Sequence, residues 1–184
     1  MDVRVRTTKK IIMDAFLGIL KYKPLAKVTV KEVCVAAEVN RTTFYKYFKD
    51  NYDLLEKIED ELIDNLQNNL DNIDKSGLSD IFAIILSDIY EKKETYIRLF
   101  SETEGKFFRE RLFSLCYEDN KKVILELFPK LSEDKQEWLY FFLADGCNSV
   151  LKRWISGGFK QSIEEMVEFL QELINTINKH ANLK

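Results

Sequence analysis

The sequence predicts an all-α protein of about nine helices, on three observations. Six Gly and two Pro occur in 184 residues, too few turn-formers for a strand-rich fold of that length. Apolar residues recur at i, i+3, i+4 and i+7 through successive segments, the period of helices that bury one face. No segment shows the two-residue alternation of a half-buried strand, and there is no internal repeat or low-complexity tract. With 46 % hydrophobic and 12 % aromatic residues, the apolar surface suffices to offset the entropy of ordering the chain, which excludes a disordered polypeptide.

Ile12, Ala15, Phe16, Ile19 and Leu20 share one helical face and predict a helix over 6–22, with Pro24 closing the connection after it. Thr29-Val30-Lys31-Glu32 is a capping box, in which the Thr29 hydroxyl accepts from the Glu32 amide and the Glu32 carboxylate reaches back. Val28 and Val33 stand at the positions of a hydrophobic staple. A short helix over 29–36 follows, then a turn at Ala37-Glu38-Val39, and Asn40 caps a second short helix over 40–47. Asp50 or Asn51 caps a longer helix over 50–73, with Leu54, Leu55, Ile58, Leu62, Leu66 and Leu70 on its inner face. Beyond Ser76-Gly77, helices are predicted over 79–92, 94–102, 106–127, 133–156 and 162–180. They are separated near Lys92-Lys93, Gly105, Pro129 and Gly157-Gly158, and Ser162 with Glu165 forms a second capping box.

Charge divides the chain. Residues 1–50 hold eleven Lys/Arg against five Asp/Glu, a net of +6; the remainder holds 17 against 26, a net of −9. A basic head on an acidic body is the pattern of a protein whose head meets a polyanion. The single histidine, His180, and three scattered cysteines, Cys34, Cys116 and Cys147, leave little for acid–base catalysis or a metal cluster. No enzyme activity, metal or cofactor is therefore expected. No apolar run approaches the roughly 18 residues of a membrane span. The stretch MDVRVRTTKK lacks the apolar core of a secretory signal, so a soluble, cytoplasmic protein that binds no membrane is expected.

Two short helices joined by a three-residue turn, inside the basic head, form a helix-turn-helix pattern. A small Ala36 is expected where the helices cross, with Val39, Phe44 and Phe48 pointing inward. Arg41, Thr42, Thr43, Tyr45 and Lys46 are left on the outer side, where hydroxyls and cations can contact phosphates and base edges.

Residues 29–48, TVKEVCVAAEVNRTTFYKYF, followed by DLL at 53–55, resemble the DNA-binding motif of TetR-family transcriptional regulators. The resemblance covers residues 6–60. It implies a fold of nine or more helices, a homodimer, a palindromic double-stranded DNA operator, repression, and a small effector bound by the C-terminal region. Carried over by position, it assigns Thr43 and Tyr45 to the DNA-facing Thr and Tyr, Lys46 to the basic position after that Tyr, and Thr29 to the cap. Two positions depart from the family pattern. Glu38 stands where Gly is common in the turn, and Asn51 where a phosphate-contacting Lys is common, with Lys49 as a substitute for the latter. Gly146 and the run Trp154-Ile155-Ser156-Gly157-Gly158 resemble the DhaS-like branch of the family.

The expected organisation is a DNA-binding domain over 1–48 and a regulatory and dimerisation domain over 49–184. In the latter, Val150 and Trp154 of one helix and Met166, Leu170 and Ile174 of the next lie on apolar stripes. Such stripes either build a four-helix bundle with a second chain or face the protomer's own core; dimerisation assigns these five residues to the interface. Tyr90, Tyr96, Phe100, Phe108, Tyr117, Trp138 and Phe142 either line a pocket for an apolar or aromatic effector or fill a core. The sequence thus predicts a DNA-binding regulator, a repressor controlled by a small molecule. The alternative is a helical regulator that acts through a protein partner without such a ligand.

Overall fold

A computed structural model of the chain describes residues 3–72, 78–101, 108, 111–112 and 128–181. Among the described residues there are eight α-helices and no strand. They are α1 (Val3–Ile19), α2 (Val30–Ala36), α3 (Arg41–Tyr47), α4 (Asn51–Asp71), α5 (Leu78–Glu91), α6 (Lys93–Ser101), α7 (Glu133–Ser156) and α8 (Ile163–Ala181), with a 3-10 turn at Leu25–Lys27. The helix predicted over 106–127 lies outside the described residues apart from Phe108, Arg111 and Leu112, which are helical. The first helix stops at Ile19 rather than Tyr22. Its end tightens into i→i−3 bonds, Lys21 N–H to Gly18 and Tyr22 N–H to Ile19, ahead of Pro24.

The chain forms two compact units, Met1–Leu62 and Ile63–Lys184. The first packs α1 against α2 and α2 against α3. Its core is made of Ile12 and Phe16 from α1, Leu25 and Val28 before α2, Val33, Cys34 and Ala37, then Phe44, Phe48, Leu54 and Ile58, all buried. The small residue between the two short helices is Ala37, not the expected Ala36, which is exposed. Ala37 stands four residues after Val33, its amide donating to the Val33 carbonyl at 2.9 Å, so it shares that buried side of α2 while Ala36 faces out.

In the second unit α8 packs along α5, and α6 packs against both α5 and α7. Phe128, Tyr140, Leu143 and Ile174 form a buried cluster, with Phe82, Leu139 and Ile177 packed on it. The Gln136 amide donates to the Phe128 carbonyl at 2.9 Å and fixes the start of α7 on this cluster. The Ser162–Glu165 box opens α8: the Ser162 amide donates to Glu165 Oε2 at 2.8 Å, and the Glu165 amide to Ser162 Oγ at 3.1 Å.

Of the five residues assigned to a dimer interface, Trp154, Met166, Leu170 and Ile174 are buried within the protomer and Val150 is half-buried. The more regular apolar stripe of each helix is the one that faces its own core. The exposed apolar side chains stand elsewhere: Trp138, Phe141 and Phe142 on α7, and Phe169 and Leu173 on α8.

Phe44 is fully buried while its neighbour Tyr45 is exposed. Phe44→Ala is expected to destabilise the first unit by about 3–5 kcal/mol, and Tyr45→Ala to change stability by less than about 0.5 kcal/mol. Urea unfolding followed by circular dichroism checks both.

Candidate nucleic-acid interface

The second of the two short helices owes its position to the first. At the head of α2, Thr29 accepts from the Glu32 amide at 3.3 Å, and Glu32 Oε2 accepts from the Thr29 amide at 2.9 Å, closing the capping box. Lys23 adds an ion pair to Glu32 Oε1 at 2.6 Å, joining the preceding loop to α2. These partners, Lys23 first and then the Thr29 hydroxyl and amide, pull the Glu32 carboxyl from 4.5 down to about 2. Val28 and Val33, the staple pair, are both buried.

The exit from α2 is a Schellman motif. The Val39 amide donates to the Cys34 carbonyl at 3.0 Å, and the Glu38 amide to the Val35 carbonyl at 3.2 Å. That geometry places Glu38 at φ +53°, in the left-handed region. The same motif ends α7, where Phe159 N–H reaches Trp154 and Gly158 N–H reaches Ile155, with Gly158 at φ +81°. One motif carries the residue that fits it; the other carries Glu, at a backbone cost of about 1–2 kcal/mol for a residue with a Cβ.

The third helix is then held at both ends and along one side. The Asn40 side chain caps it by accepting from the Thr43 amide at 2.7 Å. Phe44 and Phe48 are buried one turn apart, ring centroids 5.6 Å from each other. Lys57, from α4, donates to the terminal Tyr47 carbonyl at 2.9 Å while paired with Asp53 at 2.8 Å. Asp50 opens α4 by accepting from the Tyr52 and Asp53 amides, which settles which of Asp50 and Asn51 is the cap. Asn51 is buried, and its Nδ2 donates to the Val28 carbonyl at 2.8 Å. It therefore ties α4 to the start of α2 and presents nothing to a ligand. The only trace of the Lys57 contact in the sequence is its i, i+4 spacing from Asp53.

With the inner side of α3 anchored, Arg41, Thr42, Tyr45 and Lys46 are exposed and Thr43 is half-buried. Neither Arg41 nor Lys46 has a carboxylate partner among the described residues. Lys49 is exposed beside them at the entry to α4. Thr29 is exposed, but its hydroxyl already donates to Glu32 Oε2 at 2.8 Å. It would have to leave that bond to donate to a phosphate. The result is an exposed basic surface with phenol and hydroxyl donors, suited to phosphates and base edges.

The aromatic residues of the second unit do not form one group. Tyr96, Phe100 and Phe108 are buried and in mutual ring contact, with centroids 5.9–6.3 Å apart. Buried Asp88 accepts from the Tyr96 hydroxyl at 2.8 Å and pairs with Lys92. Burial, followed by the Asp88 charge, raises the Tyr96 pKa above the usual phenol range. Tyr90 belongs to a separate cluster with Trp154 and Phe159. Trp138 and Phe142 are each 68 % exposed. Tyr117 lies outside the described residues.

The sequence pattern of the bacterial regulatory proteins of the tetR family matches residues 12–58, and that of a transcriptional-regulator C-terminal region matches residues 76–176. The chain belongs to the TetR family. It is a DNA-binding transcriptional regulator and not an enzyme. The activator DhaS of the dhaKLM operon in Lactococcus lactis is 29 % identical over 93 residues, 50 % of this chain. That match spans 49 % of the relative, about half its length. Solved TetR-family structures share the fold. A regulator from Streptococcus agalactiae superimposes with a TM-score of 0.70 at 23 % identity, over 93 % of this chain and 95 % of that one. A dihydroxyacetone kinase operon activator, DhaS, superimposes with a TM-score of 0.65 at 22 % identity, over 94 % and 96 %. In this TetR-family chain no described helix is long and apolar enough to cross a membrane.

Two outcomes are expected from the frame of the motif. Because the Glu32 pKa is lowered on folding, its contribution is present above pH 4.5 and is lost as pH falls towards about 2. The difference in melting temperature between wild type and Glu32→Gln should therefore be largest near neutrality and close over that window, read by thermal melts across pH. Glu38→Gly removes both the left-handed strain and a negative charge beside α3. It should raise stability by roughly 0.5–1 kcal/mol and tighten DNA binding, read by melting and by fluorescence anisotropy on a labelled duplex.

Proposed function

We propose that the chain is a homodimeric repressor that binds a palindromic operator through residues 1–48 and is released by a small molecule bound within 49–184. The observation that carries the reading is the outer side of α3. Arg41, Thr42, Tyr45 and Lys46 are exposed there while Phe44 and Phe48 hold the helix from behind. Tyr45, Lys46, Lys49 and Thr29 are assigned to phosphates; Arg41, Thr42 and Thr43 are assigned to base edges. Such a protein works in the cytoplasm, where the chromosome is.

A palindrome requires a two-fold protein. The side chains that favour pairing are the exposed apolar ones of α7 and α8, Trp138, Phe141, Phe142, Phe169 and Leu173, since water contact with five large apolar side chains is costly. For the effector, the aromatic cluster of Tyr96, Phe100 and Phe108 favours an apolar or aromatic compound. Its action would be a population shift towards dimers whose recognition helices are wrongly spaced for successive major grooves. A hundredfold loss of DNA affinity needs about 2.7 kcal/mol of differential binding. Activation is the second reading, favoured by the name of the Lactococcus lactis relative, an operon activator.

The test uses duplexes tiled across the DNA upstream of the gene. Wild type should shift one of them as a dimer. Tyr45→Phe and Lys46→Ala should weaken binding with helicity and dimerisation retained, and Arg41→Ala or Thr42→Ala should relax sequence preference by roughly 1–3 kcal/mol. Phe142→Asp should sediment as a monomer and lose the operator. Unchanged affinity in all four head variants, or a monomeric wild type at micromolar concentration, would count against the reading. A promoter reporter that falls on deletion of the gene would select activation.

A further inference from the structure

Four lysines of the first unit form two contrasting pairs. Lys23 and Lys57 are neutralised by Glu32 and Asp53. Lys9 and Lys46 have no carboxylate partner among the described residues, yet both come to one aromatic ring: their Nζ atoms lie 6.0 and 5.7 Å from the centroid of Tyr47. Lys9 comes from α1 and Lys46 from α3, so the convergence is a product of the fold and not of chain proximity. Tyr47 is half-buried at the last position of α3, and the Lys57 bond to its carbonyl fixes its backbone. The ring is thereby presented as a fixed rest for two mobile side chains.

A ring face attracts an ammonium only weakly, so each of the two keeps its charge available to an anion. Among the described residues no carboxylate pairs with either lysine. An external anion can take both as partners. Two cations resting on one ring are at most about 12 Å apart, a span that reaches along a run of phosphates spaced roughly 3.4 Å along the axis on each strand.

We infer that Lys9, Lys46 and Tyr47 form a phosphate clamp on the DNA backbone, with Lys9 a binding residue outside the helix-turn-helix and Tyr47 a positioning residue for both cations. The clamp rests on the reading of the basic head as the DNA-binding element, and it extends that element onto α1. Its contribution is independent of base sequence, so no operator is needed to observe it.

The test is binding of the full chain to a fluorescent mixed-sequence duplex of about four helical turns, titrated with salt. Lys9→Gln should reduce the slope of log affinity against log salt by about 0.9 per protomer, as Lys46→Gln does. Tyr47→Leu keeps both charges but should also lower the slope, and Tyr47→Phe, which keeps the ring, should restore it. Lys160→Gln in the second unit should leave it unchanged. Circular dichroism verifies folding, and the surface change Lys9→Gln carries the test if Tyr47→Leu unfolds. A normal slope for Lys9→Gln alongside a reduced one for Lys46→Gln would overturn the clamp and leave the head reading intact. A wild type with no salt-dependent binding would overturn both.

Discussion

A helix of seven residues cannot hold itself, because helices of fewer than about a dozen residues are marginal in water. The burial of Phe44 and Phe48, one turn apart, is what keeps α3 formed and oriented. Everything proposed for the outer side of that helix depends on it. Asn40 at one end and Lys57 at the other satisfy backbone groups that so short a helix cannot satisfy internally. The first unit is therefore a set of supports for one small surface, and most of its core residues act on DNA only through those two rings.

The electrostatics follow the same division. The carboxylates with fixed partners in the head, Glu32, Asp50 and Asp53, accept from capping amides, and Glu32 and Asp53 also hold a lysine. They are used to shape the helices, and the charges of Glu32 and Asp53 are paired locally. The cations of the outer surface keep their charge for a partner. Of the five acids within the first 50 residues, Glu32 and Asp50 serve caps, while Glu38 keeps its charge beside α3 and lowers the local field there.

Much of this was legible in the sequence because it is local. Caps at Thr29, Asn40 and Ser162 need only three or four consecutive residues to be read, and all three form as expected. The exposed side of α3 follows by subtraction from the inward Phe44 and Phe48. What escaped depends on contacts distant in the chain. Asn51 looked like a lost phosphate contact until its bond to Val28, 23 residues away, showed it facing inward. The apolar stripes of α7 and α8 carried two meanings that periodicity cannot separate, since a core and a subunit interface bury the same residue types. The residue at the helix crossing is Ala37, one turn after buried Val33, which the i, i+4 spacing of α2 does contain.

Glu38 has a consequence for how the protein spends its time. Any repressor or activator must find one site among an excess of competing DNA, and strong sequence-independent attraction holds it on the wrong sites. A carboxylate two residues before the cap of α3 opposes that attraction wherever the head approaches a phosphate run. It shortens each non-specific visit and leaves hydrogen bonds to base edges to lengthen the specific one. The strained turn, unfavourable for stability, favours a quicker genomic search.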